Sequence, residues 1–123
     1  MAIIQLDPQV EQRLQSERNI WLATVRAAGR PHLVPIWFVW HDHKVFICTE
    51  TNSLKARNIS HNPHVALSLE NGDKPIVIEG LAKSIEPAGS AVIEAFQTKY
   101  DWNITTDTQY DQVIEIEVKK IRA

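Results

Sequence analysis

Residues 45–70 read VFICTETNSLKARNISHNPHVALSLE and contain the order of elements that decides the fold. The apolar run at 45–50 predicts a strand, and the alternation of apolar and polar residues at 64–70 predicts a second one. Between them, Asn62-Pro63 ends a short helix. Three residues can cap the start of that helix: Thr51, Asn52 and Ser53. The segment therefore predicts a strand, a helix and a strand in close succession.

The rest of the chain extends this pattern in both directions. Asp7-Pro8 predicts the start of a short helix that fades near Asn19, and Ser90–Tyr100 has apolar residues near helical spacing. Six strands are predicted: Ile20–Arg26, His32–Trp40, Val45–Glu50, His64–Glu70, Pro75–Glu86 and Val113–Ile121. Hairpin signals such as Asn71-Gly72-Asp73 connect most of them, and Gly80 predicts a bulge or bend. We therefore expect one mainly β (α+β) domain over residues 1–123, a six-stranded antiparallel barrel with short flanking helices.

Length and charge exclude several classes of protein. The chain has 123 residues and a formal net charge of −2, so it has no general attraction to nucleic acid or acidic membranes. No apolar run reaches the ~18 residues of a membrane-spanning helix. The start, MAIIQLDPQV, has neither the basic nor the apolar region of a signal peptide. Cys48 is the single cysteine and has no partner for an internal disulfide. We expect a cytoplasmic protein with no nucleic-acid or membrane partner.

The strand HLVPIWFVW at residues 32–40 combines apolar side chains with a proline. Its apolar residues occupy both faces, which predicts a central strand between two buried layers. Pro35 cannot donate a backbone hydrogen bond, so we expect a bulge or a locally unpaired edge there. Such a strand offers a flat aromatic ligand an apolar slot with free backbone groups. The alternative is that Trp37, Phe38 and Trp40 are core residues, which we expect for at least two of them.

The start of the central helix has the composition of an anion site. Thr49, Ser53, Lys55 and Arg57 bring hydroxyls and two cations near a helix N-terminus, where backbone N–H groups point outward. No acidic residue occurs at 51–64, although the chain as a whole is slightly acidic. A phosphate monoester needs such a surplus of donors and positive charge. Composition alone describes a capped surface helix with solvated cations equally well, and that is the commoner case.

Four segments together resemble the FMN-binding split-barrel superfamily, which includes pyridoxamine 5′-phosphate oxidase-like proteins and deazaflavin-dependent reductases. They are LATVRAAGRPHLVPIWFVW, VFICTETNSLKARNISHNPHVALSLE, IVIEGLAKSIE and KYDW. The resemblance runs from about residue 20 to residue 121, and GRPHLVP and SLKARNI are its most specific pieces. It implies a homodimer of six-stranded split barrels, with two flavin sites in the grooves between the subunits.

The resemblance also implies roles for individual residues. Val34, Pro35 and Ile36 match the segment along the isoalloxazine ring of FMN, and His32 matches a polar position near that ring. The positions that match the phosphate side are Cys48 and Thr49 at the strand end, with Ser53, Lys55 and Arg57 as the main ligands. Lys55 and Arg57 are two residues apart and cannot share one face of a regular helix, so Lys55 is the firmer assignment.

KYDW matches a segment that approaches the groove from the partner subunit in relatives. Tyr100 and Trp102 would then stack on the substrate, or Trp102 would seal the subunit interface. The chain lacks the longer, basic C-terminal segment of authentic pyridoxamine phosphate oxidases and additional segments of the haem-degrading branch. We therefore do not expect synthesis of pyridoxal phosphate, and haem degradation is less favoured.

The resulting hypothesis is an FMN-dependent oxidoreductase that passes hydride or electrons to a small planar substrate. One alternative is a deazaflavin-dependent reductase of the same fold. Another is a flavin-binding protein without turnover, such as a sensor or store. No catalytic acid or base stands out.

Other reactive side chains in the sequence favour ordinary structural roles. The histidines at 32, 41, 43, 61 and 64 have no companion ligands at metal-site spacing, so no metal is expected. Cys48 is interpreted as a small packed thiol rather than a nucleophile. Glu115 and Glu117 alternate with apolar residues as the solvent-facing side of a strand and are not a catalytic pair.

Overall fold

The computed structural model describes residues 6–123, which form three helices and seven strands. The helices are α1 (Pro8–Ser16), α2 (Leu54–His61) and α3 (Ser90–Tyr100), and a 3₁₀ turn covers Ile104–Thr106. The strands are β1 (Asn19–Val25), β2 (Pro31–Trp37), β3 (Val39–His41), β4 (Lys44–Thr49), β5 (His64–Leu69), β6 (Val77–Ile85) and β7 (Gln112–Arg122). The prediction about a signal peptide concerns the start of the chain, and its first five residues lie outside the described ones.

All seven strands belong to one antiparallel sheet in the order β2-β1-β5-β6-β7-β4-β3. β2 and β4 contact each other although they are not neighbours in this order, so the sheet curls back on itself. The mainly β, α+β class is therefore confirmed. The number of strands is wrong, because seven are present instead of six.

The additional strand arises because the predicted strand at 32–40 is broken at Phe38. The backbone N–H of Phe38 donates to the hydroxyl oxygen of Tyr100, at 2.9 Å, rather than to a neighbouring strand. The residues before the break pair with β1, and the residues after it pair with β4. One continuous apolar sequence thus supplies both edges of the sheet.

The prediction that this strand is central and buried on both faces is also wrong. β2 is an edge strand, and its residues alternate between exposed and partly buried. The strand with two buried faces is β4. Val45 and Ile47 belong to the main core of the sheet, whereas Phe46 and Cys48 pack in a second cluster with Phe96 of α3. The expectation of an unpaired edge at Pro35 agrees with the position of β2, whose described pairing is with β1.

Backbone geometry explains two connections in the sheet. Asp42 and His43 have positive φ angles of 51° and 57°, as both central residues of a type I′ hairpin turn require. Gly80 lies at a register shift, where Lys119 is the extra residue of the opposite strand. A Cβ at Gly80 would lie 2.5 Å from the carbonyl oxygen of Glu117, so the predicted bulge is confirmed and depends on glycine.

The helices are held to the sheet by buried residues and capped as the sequence suggests. Leu14 of α1 is fully buried in the main core. Ser53 is the residue that caps α2, since its Oγ accepts a hydrogen bond from the N–H of Ala56. Asn58 then anchors α2 to β1 by donating from Nδ2 to Oγ1 of the buried Thr24, at 3.0 Å. Among residues 6–123, no helix has the length and apolar character needed to cross a membrane.

Candidate functional site

A cavity of about 800 Å³ lies where the edge strand β2 passes the end of β4 and the connection from α3 to β7. This volume is within the range of small-molecule and cofactor sites. Its lining residues are Asn19, Val34, Pro35, Ile36, Trp37, Cys48, Lys55, Tyr100, Asp101, Trp102, Asp107 and Tyr110. Most of them are apolar or aromatic, and a few polar groups converge among them.

The cavity brings together seven of the site residues that the sequence predicted. They are Val34, Pro35, Ile36, Cys48, Lys55, Tyr100 and Trp102. These residues come from four separate segments, so the curl of the sheet rather than their sequence spacing gathers them. The other four predicted residues are His32, Thr49, Ser53 and Arg57, and they lie outside the lining of the cavity.

Two of those four lie at or next to the start of α2, the helix that carries Lys55. Thr49 is fully buried, and its Oγ1 lies 2.8 Å from Oγ of Ser53 in a hydrogen bond. Ser53 is in turn the N-cap of α2, so the pair fixes the first turn of the helix that carries Lys55. The start of this helix carries partial positive charge and no acidic residue in its first turn. The helix start and Lys55 thus bring positive charge to the cavity, although the carboxylates of Asp101 and Asp107 also line it and Glu50 lies near Lys55.

Lys55 and Arg57 differ in position, as their spacing predicts. Lys55 is partly buried and lines the cavity, whereas Arg57 is exposed on α2. Burial lowers the pKa of Lys55, and the nearby carboxylate of Glu50 partly opposes this shift. A bound anion would stabilise the protonated form of Lys55 in the same way.

His32 lies on β2 opposite Thr24 and is partly buried. Its Nδ1 is buried and has no hydrogen-bond partner among the described residues. The structure thus places His32 on the strand that borders the cavity, one position before Leu33 and two before Val34, without bringing it into the lining.

One wall of the cavity is aromatic. The rings of Trp37 and Tyr100 stack with centroids 4.5 Å apart and an interplanar angle of 10°. Trp102 meets Trp37 edge-on at 6.1 Å, and Tyr110 meets Trp102 edge-on at 5.8 Å. Aromatic pairs prefer such offset-stacked and edge-to-face arrangements. The prediction that at least two aromatic residues of the 32–40 segment are core is confirmed, since Phe38 and Trp40 are buried and Trp37 is 42% exposed.

Asp107 organises this wall and was missed by sequence reasoning. Its Oδ2 accepts a hydrogen bond from Nε1 of Trp102 at 3.0 Å. Its Oδ1 accepts from the backbone N–H groups of Gln109 and Tyr110, both at 2.9 Å. The bond from Tyr110 is the main reason that the pKa of Asp107 is lowered. Asp107 begins a turn in a polar connection, which is a common pattern, so the sequence carries no specific signal for this role.

Cys48 faces the cavity as a neutral thiol. Burial raises its pKa to about 12, and the nearby carboxylate of Asp107 acts in the same direction. Only 4% of the residue is exposed. Since the thiolate is the nucleophilic form, Cys48 at neutral pH contributes packing rather than covalent chemistry.

The remaining predictions about reactive residues concern metals and paired carboxylates. Within residues 6–123, no three His, Cys, Asp or Glu side chains are placed to hold a metal ion. Glu115 forms ion pairs with Lys44 and Lys83, while Glu117 pairs with Lys119. Glu117 is exposed, as its alternation predicts, whereas the side chain of Glu115 is only 14% exposed.

The fold and the cavity define a small antiparallel split-barrel protein with a ligand-sized cavity at the edge of its sheet. A family model described as pyridoxamine 5′-phosphate oxidase matches residues 6–123. The chain therefore belongs to the pyridoxamine 5′-phosphate oxidase family, and the resemblance found in the sequence is confirmed.

Individual relatives carry different names. A stretch of 64 residues, 52% of this chain, is 31% identical to the heme oxygenase HutZ of Vibrio cholerae and spans 36% of that protein's length. The solved structure of HutZ from V. cholerae, described as a heme storage protein, superposes with a TM-score of 0.79. That match covers 98% of this chain and 95% of the HutZ chain at 19% identity, which shows the shared fold.

A solved F420 reductase is 28% identical, with a TM-score of 0.73 over 91% of this chain and 94% of that chain. A conserved hypothetical protein from Mycobacterium tuberculosis is 24% identical, with a TM-score of 0.78 over 98% of this chain and 84% of that chain. The 64 matched residues are 52% of this chain but 36% of the curated HutZ protein, so HutZ is the longer of the two. The expectation that the haem-degrading branch has additional segments stays a prediction.

Proposed function

We propose that this protein binds FMN and works as an oxidoreductase that passes hydride or electrons to a small planar substrate. One observation carries the proposal. A single cavity combines an apolar strand segment, Val34–Ile36, with a partly buried lysine at the start of a helix. FMN requires both features, since its ring system is flat and largely apolar and its phosphate is anionic.

The residues present fit FMN on physical grounds. Lys55 is the one cation in the described lining, and burial disfavours its charge until an anion is bound beside it. The hydrogen bond between Thr49 and Ser53, together with the cap that Ser53 forms, holds the helix start in place. In this proposal Lys55 and Ser53 contact the phosphate, Arg57 screens it from outside, and Val34, Pro35 and Ile36 lie along the ring, with His32 near its polar edge.

Bound FMN would supply the redox chemistry, and the residues of this chain would bind and orient the FMN and the substrate. The aromatic wall with Tyr100 and Trp102 would hold the substrate against the ring. Cys48 stays protonated because of its raised pKa, so it adds no competing nucleophile. Its lack of a disulfide partner fits a reducing compartment, which supports a cytoplasmic location.

The proposal includes a homodimer in which a second copy completes the groove. β2 is an edge strand with unpaired backbone groups on its outer side. Leu33 on this strand is 59% exposed. A long edge strand with exposed apolar side chains favours pairing or packing with another chain.

Two rival cofactors, a deazaflavin and haem, can be tested with the same purified protein. The similarity to an F420 reductase supports a deazaflavin in place of FMN. The similarity to HutZ supports haem. However, none of the described lining residues is a histidine, and the thiol of Cys48 is not in the thiolate form that binds haem iron. Tyr100 and Tyr110 are the remaining candidate haem ligands in the described lining, and the absorbance spectrum of the purified protein decides between flavin and haem.

The test of cofactor identity is absorbance and mass spectrometry of the chromophore released from the purified protein. We expect FMN, with a flavin spectrum in the bound state. A deazaflavin mass or a haem spectrum would identify that group, rather than FMN, as the cofactor. Bound FMN that no nicotinamide or other biological reductant can reduce would favour the sensor or store over the enzyme.

The test of the site compares FMN with riboflavin, which lacks the phosphate. We expect Lys55→Ala to weaken FMN binding by about tenfold to a hundredfold and riboflavin binding by less than about twofold. Arg57→Ala should have a smaller effect on FMN because Arg57 is exposed and outside the lining. Lys120→Ala, on the exposed side of β7, is the matched control. Equal losses for both ligands in Lys55→Ala would show that Lys55 does not contact the phosphate.

A further inference from the structure

Trp37 is unusually exposed for a large aromatic side chain in this molecule. Its exposed fraction is 42%, whereas the neighbouring Phe38 and Trp40 are 0% and 8% exposed. It follows Ile36 directly on the edge strand and lines the same cavity. An indole left half in solvent at the mouth of a cavity keeps a large apolar surface available for a ligand.

The ring of Trp37 is held in one orientation before any ligand arrives. It stacks on Tyr100 at 4.5 Å and 10°. The Tyr100 hydroxyl accepts from the N–H of Phe38 and lies 2.7 Å from the carbonyl oxygen of Arg18, to which it can donate. The guanidinium carbon of Arg18 lies 5.3 Å from the Trp37 ring centroid, a cation–π distance. A fixed ring loses little conformational entropy when a ligand binds to it.

Trp102 gives the exposed indole a second, differently oriented neighbour. Its ring meets Trp37 at an interplanar angle of 70° and is tied to Asp107 through Nε1. The two rings thus form a corner, with one flat surface and one edge. A flat ligand fits such a corner by stacking on one ring and meeting the edge of the other.

We propose that Trp37, whose ring stacks on Tyr100, is the specificity-determining residue of this site. It makes the site select flat aromatic molecules over non-planar molecules of the same size. The inference rests on the proposed function only for the transfer of hydride or electrons to the bound molecule. The binding of that molecule to Trp37 does not depend on the proposed function. Residues Val34–Ile36 and Lys55 would hold the cofactor, while Trp37 offers its surface to the second ligand.

The test uses a pair of neutral probes that differ in planarity, 2-naphthol and decahydro-2-naphthol. Their binding to the protein as purified, with whatever cofactor it carries, is measured by isothermal titration calorimetry. We expect the wild type to bind 2-naphthol more tightly than its saturated counterpart. Stacking on one more ring corresponds to a preference of about twofold to tenfold.

Two variants separate stacking from simple bulk. Trp37→Phe keeps an aromatic ring and should retain the preference for 2-naphthol to within about twofold. Trp37→Leu keeps an apolar side chain and should lose most of the preference for 2-naphthol, with Tyr100 and Trp102 still in the cavity lining. Lys120→Ala is the control, since Lys120 is exposed on β7 and lies outside the described cavity lining, and it should leave both affinities unchanged.

Each other outcome overturns the inference in a recognisable way. An unchanged preference in Trp37→Leu shows that Trp37 does not select for planarity. A Trp37→Leu variant that loses the cofactor in parallel assigns Trp37 to cofactor binding. A variant that changes the oligomeric state in analytical ultracentrifugation, with unchanged probe affinities, assigns the ring to contact with a second copy. A wild type that binds no flavin refutes the proposed function, and the two probes still report on Trp37.

Discussion

The hydroxyl of Tyr100 satisfies the backbone of Phe38, a residue 62 positions earlier in the chain. It accepts a hydrogen bond from the Phe38 N–H at 2.9 Å and lies 2.8 Å from the Phe38 carbonyl oxygen. Nζ of Lys99 donates to the same carbonyl, at 2.9 Å. A side chain of α3 thus replaces the strand partner that Phe38 lacks, which is how the chain passes from one edge of the sheet to the other without leaving a buried polar group unpaired.

Tyr100→Phe should destabilise the protein by about 1–3 kcal/mol, because the buried N–H of Phe38 loses its acceptor. The free energy of unfolding is measured by urea denaturation followed by circular dichroism. Tyr110→Phe is the control, since Tyr110 is 39% exposed, and it should change stability by less than about 0.5 kcal/mol. Equal stabilities for the two variants would mean that water replaces the lost hydroxyl at Phe38.

Gly80→Ala should destabilise the sheet by about 1–3 kcal/mol or more. The new methyl group would meet the carbonyl oxygen of Glu117 at 2.5 Å and Cγ2 of Ile116 at 2.9 Å. Since the first of these is backbone of the neighbouring strand, relief requires movement of the bulge. Thermal unfolding of Gly72→Ala provides the comparison, because an added Cβ there meets no atom within 4 Å among the described residues. A Gly80→Ala protein as stable as Gly72→Ala would contradict the close approach of the two strands.

Cys48 should resist alkylation in the folded protein. Its pKa of about 12 leaves very little thiolate at pH 8, and the thiolate is the reactive form. We expect iodoacetamide to label native Cys48 at least about a hundredfold more slowly than the same residue in urea, as followed by mass spectrometry. Fast labelling of the native protein would show that the thiol is accessible and ionised, and Cys48 would then be a candidate for redox chemistry at the cavity.

Lys99 should make stability depend on alkaline pH. The pKa of Lys99 is lowered from 10.5 to about 8, mainly by burial and secondly by the guanidinium of Arg18, while Glu17 opposes the shift. Between pH 8 and 10.5 the unfolded chain therefore binds more protons than the folded one, so this group increases stability as the pH rises. Tyr100 acts in the opposite direction above about pH 10, because burial raises its pKa.

The contribution of Lys99 is isolated by comparison with Lys99→Met at each pH. We expect the free energy of unfolding of the wild type, minus that of the variant, to rise from pH 8 to pH 10. Both proteins contain Tyr100, so its titration cancels to first order. A difference that is flat over this range would show that Lys99 is solvated in the folded protein.

Local patterns in the sequence determined the elements that neighbouring residues control. The helix over Ser90–Tyr100 has the bounds that its apolar spacing predicts. Ser53 caps α2, and the alternation of β7 fails at Lys119, where the bulge opposite Gly80 occurs. Capping, turn formation and strand alternation depend on residues a few positions apart, so a single sequence contains their causes.

The order of strands and cations along the chain does not by itself say which side chains share a cavity. Seven predicted site residues line it together, whereas His32, Thr49, Ser53 and Arg57 stay outside the lining. Asp107 belongs to the site because it accepts a hydrogen bond from Trp102, and Trp37 belongs to it because its ring stacks on Tyr100. These placements result from the curl of the sheet, which no local pattern encodes.

The sequence by itself determined the family, the sequence of elements and the first turn of α2 with its lysine. Only the tertiary structure decided that the apolar segment at 32–40 is two edge strands rather than one central strand. The physical reason is the hydroxyl of Tyr100, which lies 62 positions later in the chain. It hydrogen-bonds the backbone of Phe38, so the break in the strand leaves no unpaired backbone group there. The same break leaves Trp37 exposed at the mouth of the cavity.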